Sequence, residues 1–421
     1  TTDIQPVWMG DQIYFLSDRD ATMNVWVYGV KDQSLKQVTT YEGSDIKSLS
    51  GNGSTLLFER DGQLHLLNPS NGNTTALEIQ VIGDFPWAEK KWEDVSRRAS
   101  AVSLSATGQR AILEARGEIF TVPVEFGNSR NITNSSGAAD RRPIWSPDGS
   151  QIAWFTDEGH QQYRLRITNQ DGQGSSKDIS IGQSKLGWEP VWSPDGKHIA
   201  FNDDDVRIKV LTVENESLET IDIGGSNIER GDLGLTWSPD SKWLAYSKSS
   251  DTGFKRIYLW SMEQNKTMPV TNEMAHSIAP SWDASGQYIY FLASTDLALS
   301  SGWANTSSMG SRPSFTPYLI NLRKSDPSPF EPRSDEEESK KEDKEEKEEQ
   351  SDSVYVDLEG IAMRTIALPM SSGKSYGWTM TGPKGSVFIA ERVPEKPGWT
   401  IHKFNLNKRK ASEFTSGVSQ F

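Results

Sequence analysis

The chain has 421 residues, of which 35% are apolar, and its formal net charge is −14. This apolar content is enough for a substantial core, and the acid excess without a basic face argues against nucleic acid as a partner. The chain has no cysteine, which excludes disulfides and thiolate metal sites. No apolar run reaches the roughly eighteen residues that a membrane-spanning helix needs.

A pattern of short apolar strands starts at the N-terminus. In the first unit Trp8 ends one strand, and further strands are predicted at 13–16, 24–28 and 37–39. In the second unit Leu49, 41 residues after Trp8, occupies the equivalent position of the repeat. The strands of that second unit are predicted at 46–49, 55–58, 64–67 and 76–81. Four short strands in a repeat of about 40–45 residues are typical of β-propeller blades.

Residues 83–98 interrupt this repeat with two tryptophans and a cluster of charges. The next tryptophan-equivalent residue is Leu104, which lies 55 residues after Leu49. The unit that contains Leu104 has further strands predicted at 111–114, 119–122 and 130–133. The excess length is a candidate boundary between two rings. The alternatives are a long loop between blades of one ring and a single eight-bladed ring.

Four copies of one motif then follow, and their tryptophans lie 47, 45 and 45 residues apart. Each copy ends an apolar strand with a tryptophan and begins a tight turn; the copies span residues 144–149, 191–196, 236–241 and 281–286. Proline presets φ, aspartate caps the turn through its side chain, and the final glycine takes a positive φ. The motif therefore predicts the turn between the first and second strands of each blade.

The blade that starts at Trp282 is interrupted twice. Residues 297–315 separate its second and third strands, and residues 331–352 hold 12 acidic and 5 basic residues, a net charge of −7. Such a charge run cannot bury apolar surface, and we expect a solvated, disordered insertion. The outer strand of this blade is predicted at 363–368, and a last unit has strands at 387–390 and 399–404.

The sequence gives only weak matches to catalytic and metal-binding motifs. Residues 373–377 match the pattern Gly-x-Ser-x-Gly, but a nucleophile elbow needs a following helix and downstream acid and histidine partners; we predict a turn between blades. The histidines lack the paired spacing of a zinc site. Asp203, Asp204 and Asp205 could bind calcium, although a solvated hairpin tip is the ordinary interpretation. No catalytic residue, metal or cofactor is predicted for this chain.

The segment that leads into each inner strand should cross one mouth of the central channel. Counting back three to seven residues from each repeat tryptophan selects Asp140, Arg141, Arg142, Trp188, Glu189, Arg230, Asp232 and His276. Arginine side chains bind carboxylates through two parallel hydrogen bonds, so Arg141 and Arg142 could hold a peptide terminus or an acidic side chain. The alternative is that these residues form salt-bridged surface loops.

Several stretches together resemble the tricorn-type serine proteases. They are residues 14–20, the run 114–123, the repeated turn motifs, and residues 358–361 after the charged insertion. The turn motif is shared with TolB-like and many peptidase propellers, whereas the run 114–123 and the position of the insertion are more specific.

The resemblance implies a six-bladed propeller followed by a seven-bladed propeller, then a PDZ-like domain and a serine-protease core. On this basis residues 1–83 would be the last two blades of the first propeller, 84–97 an irregular connection, and 98–421 six blades of the second. The family's catalytic residues lie on later domains, so the parent would be the peptidase and this chain a non-catalytic channel for unfolded peptides. The chain therefore looks like an excerpt of something longer.

The resemblance also implies peptide substrates, the other domains of the same polypeptide and further copies of the chain as partners, in the cytoplasm. No nucleic acid or membrane partner is expected. The first residues show no signal peptide, which is then absent or removed, and a periplasmic location stays open. The alternative functions are a stand-alone TolB-like propeller that docks a protein and the propeller of a prolyl-oligopeptidase-like enzyme.

Overall fold

The computed structural model describes residues 1–87, 89, 91–135, 137–159, 162–295, 314–333 and 353–419. The chain divides into two compact units, Thr1–Trp92 and Glu93–Phe421. Within the described residues, every strand belongs to one of eight four-stranded sheets, and the helical segments are two short 3-10 helices, Asn227–Glu229 and Ile361–Arg364. The predicted all-β propeller blades are confirmed.

Each sheet is an antiparallel meander whose strands are neighbours in sequence order. Unit 1 holds blade 1, with strands β1 to β4 at Asp3–Met9, Gln12–Ser17, Asn24–Gly29 and Leu35–Gln37. It also holds blade 2, with strands β5 to β8 at Ile46–Gly51, Leu56–Arg60, Gln63–Leu67 and Thr74–Ala76.

The described part of unit 2 holds six blades. In blade 3, β9 to β12 are Ala99–Leu104, Arg110–Ala115, Glu118–Pro123 and Arg130–Asn131. In blade 4, β13 to β16 are Arg141–Trp145, Gln151–Thr156, Arg164–Asn169 and Lys177–Ser180. In blade 5, β17 to β20 are Gly187–Trp192, His198–Asp203, Arg207–Thr212 and Ser217–Ile223.

The remaining three blades follow the same order. In blade 6, β21 to β24 are Thr236–Trp237, Trp243–Ser249, Lys255–Ser261 and Lys266–Pro269. In blade 7, β25 to β28 are His276–Trp282, Tyr288–Ser294, Thr316–Asn321 and Thr365–Ala367. In blade 8, β29 to β32 are Tyr376–Thr381, Ser386–Glu391, Trp399–Asn405 and Lys410–Val418.

The repeated turns have the predicted geometry. Asp148 Oδ1 accepts hydrogen bonds from the Ser146 hydroxyl at 2.6 Å and the Ser150 amide at 3.0 Å, and Gly149 has φ +73°. Ser241 replaces the glycine in blade 6 and still adopts φ +63°. Its hydroxyl accepts the Asp195 amide of blade 5 at 3.0 Å, so this turn also ties two blades together.

The core lies between the faces of consecutive blades. Each pair of neighbouring blades within a unit shares one cluster of buried apolar side chains. Trp282 of blade 7 is 1% exposed and donates its indole N–H to the Thr236 carbonyl of blade 6 at 3.2 Å. In contrast, Trp8 is 67% exposed and Leu104 63% exposed. Both stand at the tryptophan position of the first described blade in a unit, and no preceding blade of the same unit covers them in the described residues.

Several outer strands differ from the predictions. The strands predicted at 37–39 and 130–133 end at Gln37 and Asn131. A threonine hydroxyl replaces the backbone carbonyl beyond each end, because Thr39 Oγ1 accepts the Val25 amide and Thr133 Oγ1 the Ile119 amide. Such local side-chain bonds compete with strand pairing.

Two further outer strands are shorter than predicted. The strand predicted at 76–81 is Thr74–Ala76, and Ile79, Val81 and Ile82 beyond it are exposed. The strand predicted at 363–368 is Thr365–Ala367, because a 3-10 helix occupies the residues just before it. Outer strands pair with one neighbour only, so their apolar pattern is a weak guide to their ends.

Much of the two predicted interruptions of blade 7 lies outside the described residues, namely 296–313 and 334–352. The chain after the charge run is anchored, since the Val354 amide donates to Asp240 Oδ2 at 2.8 Å. The predicted connection 84–97 contains the division between the two compact units. Among the described residues, no helix is long and apolar enough to cross a membrane.

Candidate functional site

The first strands of the blades form the inner surface of unit 2. Each of the first strands β9, β13, β17, β21 and β25 contacts the first strand of the next blade. The repeated turns lie at one end of these strands, which we call the turn face. The segments that lead into the first strands lie at the other end, which we call the mouth face. All eight residues selected from the sequence belong to the mouth face or to the strand ends beside it.

A β-bulge shapes the start of three of these first strands. Arg142, Glu189 and Ala279 have φ of +55°, +48° and +52°, and the strand register shifts beside each of them. A proline follows each one and the repeat tryptophan comes two residues after that proline. Positive φ is uncommon for non-glycine residues, so its recurrence at the same position in three blades makes the bulge a specific feature of the inner strands.

The three selected residues of blade 4 have separate roles. Asp140 is fully buried, and its carboxylate accepts the Trp154 indole N–H at 2.7 Å and the Ser135 hydroxyl. That carboxylate is therefore not available to a peptide. Arg141 and Arg142 are exposed, and Arg141 lies beside the Tyr163 hydroxyl. Burial raises the pKa of Tyr163, while the Arg141 guanidinium opposes that increase.

Blade 5 holds the mouth segment of blade 6. Glu189 Oε2 accepts the Leu233 amide at 3.0 Å and Glu189 Oε1 accepts the Gly234 amide at 3.1 Å. Burial raises the pKa of Glu189, and these two amides oppose the increase. The indole of Trp188 packs on Gly231, where a Cβ would come within 3.2 Å of the ring. Both selected residues of blade 5 thus contact the neighbouring mouth segment.

Lys255 brings two further selected residues together. Its ammonium group donates to Asp232 Oδ2 at 2.6 Å and to the Asp232 carbonyl at 2.7 Å. Its backbone amide donates to His276 Nδ1 at 3.2 Å. The Lys255 side chain is 10% exposed, whereas the Asp232 side chain is 63% exposed. One residue therefore joins the mouth segments of blades 6 and 7, through its ammonium group to Asp232 and through its backbone amide to His276.

His276 is held as a neutral acceptor. Burial, reinforced by the positive charge of Lys255, lowers the pKa of His276 to about 4. The imidazole lies between the rings of Phe254 and Phe315, with centroids 6.3 Å and 6.1 Å away. Phe315 immediately precedes the third strand of blade 7. The histidine thus acts in packing and hydrogen bonding at neutral pH.

The structure therefore joins Trp188, Glu189, Asp232 and His276 into one connected group across blades 5, 6 and 7. Asp140, Arg141 and Arg142 lie outside that group. Arg230 lies between its members in sequence and is exposed. The guanidinium of Arg230 has no hydrogen-bonded or ionic partner within the described residues. Whether a peptide uses these residues stays a prediction.

Two residues that hold this group together were missed from the sequence. Lys255 gives no sequence signal, because it is the first residue of a third strand and its partners lie on other strands. Glu229 could have been found, since Ser226 and Glu229 have the spacing of a capping box. Glu229 is 2% exposed, and both bonds of the capping box are present.

The carboxylates of Asp203 and Asp205, in the acidic hairpin of blade 5, are paired with other side chains of this chain. Asp203 is buried, and its carboxylate bonds with the Lys209 ammonium at 2.9 Å and the Ser184 hydroxyl at 2.6 Å. Burial opposes ionisation, but these bonds outweigh it and lower the pKa of Asp203. Asp205 pairs with Arg207 at 2.7 Å. In the part of the chain that the structure describes, no cluster of three or more histidine and carboxylate side chains could hold a metal.

The Gly-x-Ser-x-Gly segment is a turn between blades. Ser375 precedes strand β29 directly, and strand β30 follows it without a helix. His402 Nε2 lies 2.8 Å from Glu391 Oε2, and Lys374 also pairs with Glu391. Tyr376, the first residue of β29, packs toward blade 7, whereas Ser375 is exposed. The geometry of an elbow is not present here.

Comparison with known proteins accounts for most of the chain. Residues 99–421 match the family model of the tricorn protease second beta propeller domain. Residues 1–73 match the tricorn protease N-terminal beta propeller domain. The chain belongs to the tricorn protease family.

Individual relatives agree with this assignment. The chain is 26% identical to tricorn protease homolog 1 of Streptomyces coelicolor, over 88% of this chain and 35% of that protein. It is 26% identical to the tricorn protease of Thermoplasma volcanium, over 77% of this chain and 31% of that protein. The crystal structure of the tricorn protease aligns with all of this chain and 40% of its own, at 20% identity and a TM-score of 0.59. The chain thus spans less than half the length of these relatives.

Proposed function

We propose that this chain is the non-catalytic propeller region of a tricorn-like serine peptidase and that it guides unfolded peptides toward a protease core outside these residues. The observation that carries the proposal is the connected group at the mouth face. Glu189 and Lys255 hold consecutive mouth segments in place, so polar groups are presented in a fixed arrangement where an extended chain would pass. Fixed binding groups lose less entropy when a ligand binds.

The chemistry of the described residues supports a binding role rather than a catalytic one. A serine peptidase needs a nucleophile within hydrogen-bond reach of a base. Within the described residues, the downstream His402 is paired with Glu391 and not with the serine of the elbow-like motif. We therefore assign peptide hydrolysis to the parent protein.

We further propose that blades 1 and 2 end a first propeller and that blades 3 to 8 belong to a second, seven-bladed one. The exposed faces support this division, since Trp8 and Leu104 are exposed at a position that is buried in blade 2 and in blades 4 to 7. Val124 and Phe126 on blade 3 are also exposed, as is Phe414 on blade 8. Such open apolar faces count against a self-contained TolB-like propeller.

The remaining parts of the proposal follow from the family. We place the protein in the cytoplasm, and we propose that it assembles with further copies of itself and with the PDZ-like and protease domains of its own polypeptide. Size-exclusion chromatography with light scattering would measure the assembly. A monomer over the whole accessible concentration range would count against assembly through this region.

The binding role is tested with a reduced and carboxymethylated protein that cannot refold. Fluorescence anisotropy with this labelled polypeptide should show saturable binding to the chain. The native, folded form of the same polypeptide should not bind, because its backbone is not extended. Equal binding of both forms, or of neither, would overturn the proposed guidance of unfolded peptides.

A further inference from the structure

The segment at residues 225–234, which we call the mouth loop, is held more firmly than an ordinary surface loop. At its start the buried carboxylate of Glu229 accepts the Gly225 amide at 2.8 Å and the Ser226 amide at 3.1 Å. The other oxygen of Glu229 accepts the Ser249 amide and the Ser249 hydroxyl, both at 2.7 Å. Four bonds to one carboxylate fix this end of the loop to blade 6.

The other end of the mouth loop is fixed from two sides. Glu189 of blade 5 accepts two consecutive loop amides, as described above. Lys255 of blade 6 binds both the carbonyl and the carboxylate of Asp232. The Leu233 carbonyl accepts the Ser247 amide at 2.7 Å. The backbone between Glu229 and Asp232 is therefore held at both ends.

Two side chains of the mouth loop are exposed to solvent. Ile228 is 84% exposed, and Arg230 is exposed without a hydrogen-bonded or ionic partner in the described residues. The nearby carboxylates do not pair with Arg230, because the buried carboxylate of Glu229 accepts the four hydrogen bonds described above and the carboxylate of Asp232 pairs with Lys255. Among the described residues, the mouth loop thus presents an exposed apolar side chain and an unpaired cation on an anchored backbone.

We propose that the mouth loop is a specificity element for extended peptides that carry an apolar side chain and a nearby carboxylate. In an extended peptide, side chains two positions apart lie on the same face, about 6.7 Å from each other, so the test peptides carry the two groups at this spacing. Ile228 contacts the apolar side chain, and Arg230 binds the carboxylate of a glutamate, an aspartate or a C-terminus, for which a guanidinium offers two parallel donors. This inference rests on the proposed function and names the class of peptide.

The test is a double-mutant cycle with the full chain and two short labelled peptides of glycine and serine. One peptide carries a leucine and, two positions on, a glutamate, and the other has glutamine in place of the glutamate. Arg230→Gln should weaken binding of the glutamate peptide about fivefold, the upper range for an exposed ion pair. It should leave binding of the glutamine peptide unchanged.

Ile228→Ser should weaken binding of both peptides about fivefold, since a partly buried apolar contact is lost. Lys384→Gln is the matched control, because it removes one positive charge from an exposed turn on the turn face. It should change neither affinity. Circular dichroism of the variants should match the parent chain, as both mouth-loop side chains are exposed.

The outcomes separate this inference from the proposed function. If the unfolded polypeptide binds but Arg230→Gln does not discriminate between the two peptides, the mouth loop is not the specificity element, while peptide guidance stands. If Lys384→Gln weakens the glutamate peptide as much as Arg230→Gln does, the effect is one of net charge and the inference is wrong. If neither the peptides nor the unfolded polypeptide bind, both proposals are wrong.

Discussion

Packing between blades predicts a large difference between two tryptophans at equivalent repeat positions. Trp282 is 1% exposed and packs between blades 6 and 7, where its indole N–H also bonds to blade 6. Truncation to alanine leaves a cavity that only partly collapses, and a buried aromatic side chain typically costs about 3–5 kcal/mol. We therefore expect Trp282→Ala to lower the free energy of unfolding of unit 2 by about 4 kcal/mol.

Trp8→Ala is the matched control because it removes the same side chain from the same repeat position. Trp8 is 67% exposed, and within the described residues its indole N–H bonds only to the Gly10 carbonyl of its own turn. Only about a third of the Trp8 surface is buried, so the free energy of unfolding of unit 1 should fall by roughly 1 kcal/mol.

The assay is urea-induced unfolding read by hydrogen exchange and mass spectrometry, because peptides from each unit report on that unit alone. Two compact units need not unfold in one step, and a single spectroscopic signal would mix them. Equal losses for the two variants would refute the argument that a preceding blade supplies the stabilisation. A loss below about 1 kcal/mol for Trp282→Ala would refute the packing itself.

Three further changes test the local contacts. Glu189→Ala should speed hydrogen exchange of the Leu233 and Gly234 amides by about tenfold or more, since hydrogen bonds to a charged group contribute about 1.5–3 kcal/mol. Unchanged protection of these amides would show that the mouth loop does not depend on the Glu189 carboxylate. The pKa of His276 is lowered from 6.5 to about 4 in the folded chain, so the unfolded chain binds more protons in that window and stability falls as the pH falls through it. His276→Asn should flatten this slope in urea titrations, and an identical slope would contradict the assignment. Ser241→Ala keeps the left-handed backbone but loses the hydrogen bond from the Asp195 amide, which should lower the free energy of unfolding by about 1 kcal/mol. Ser241→Gly loses the same bond but regains a similar amount, because glycine adopts the left-handed backbone without strain. The thermal denaturation midpoint should therefore fall more for alanine than for glycine, and the reverse order would contradict this account of the turn.

The blades were predictable because each one repeats the same local chemistry. The turn motif fixes where a first strand ends, and the positive φ of Gly149 and its equivalents follows from that motif. The buried repeat tryptophans follow as well, since a blade must cover its neighbour. The outer strands were less predictable, because a threonine hydroxyl such as that of Thr39 can take the place of a strand carbonyl.

The candidate site was predictable in position but not in its connections. Counting back from the repeat tryptophans selected Glu189, Asp232 and His276, which the fold brings together. It could not select Lys255, because its contact with Asp232 spans 23 residues and depends on the pairing of neighbouring strands. It also selected Asp140, whose burial follows from the Trp154 indole and not from any local pattern.

Photo-crosslinking tests the central claim most directly. A carboxymethylated, unfolded polypeptide that carries benzophenone groups is bound to the full chain and irradiated, and the crosslinked peptides are identified by mass spectrometry. If the chain guides unfolded peptides through its inner surface, the crosslinks should fall on the mouth segments of unit 2, above all on residues 225–234. Crosslinks confined to the outer strands or to the turn face would contradict it.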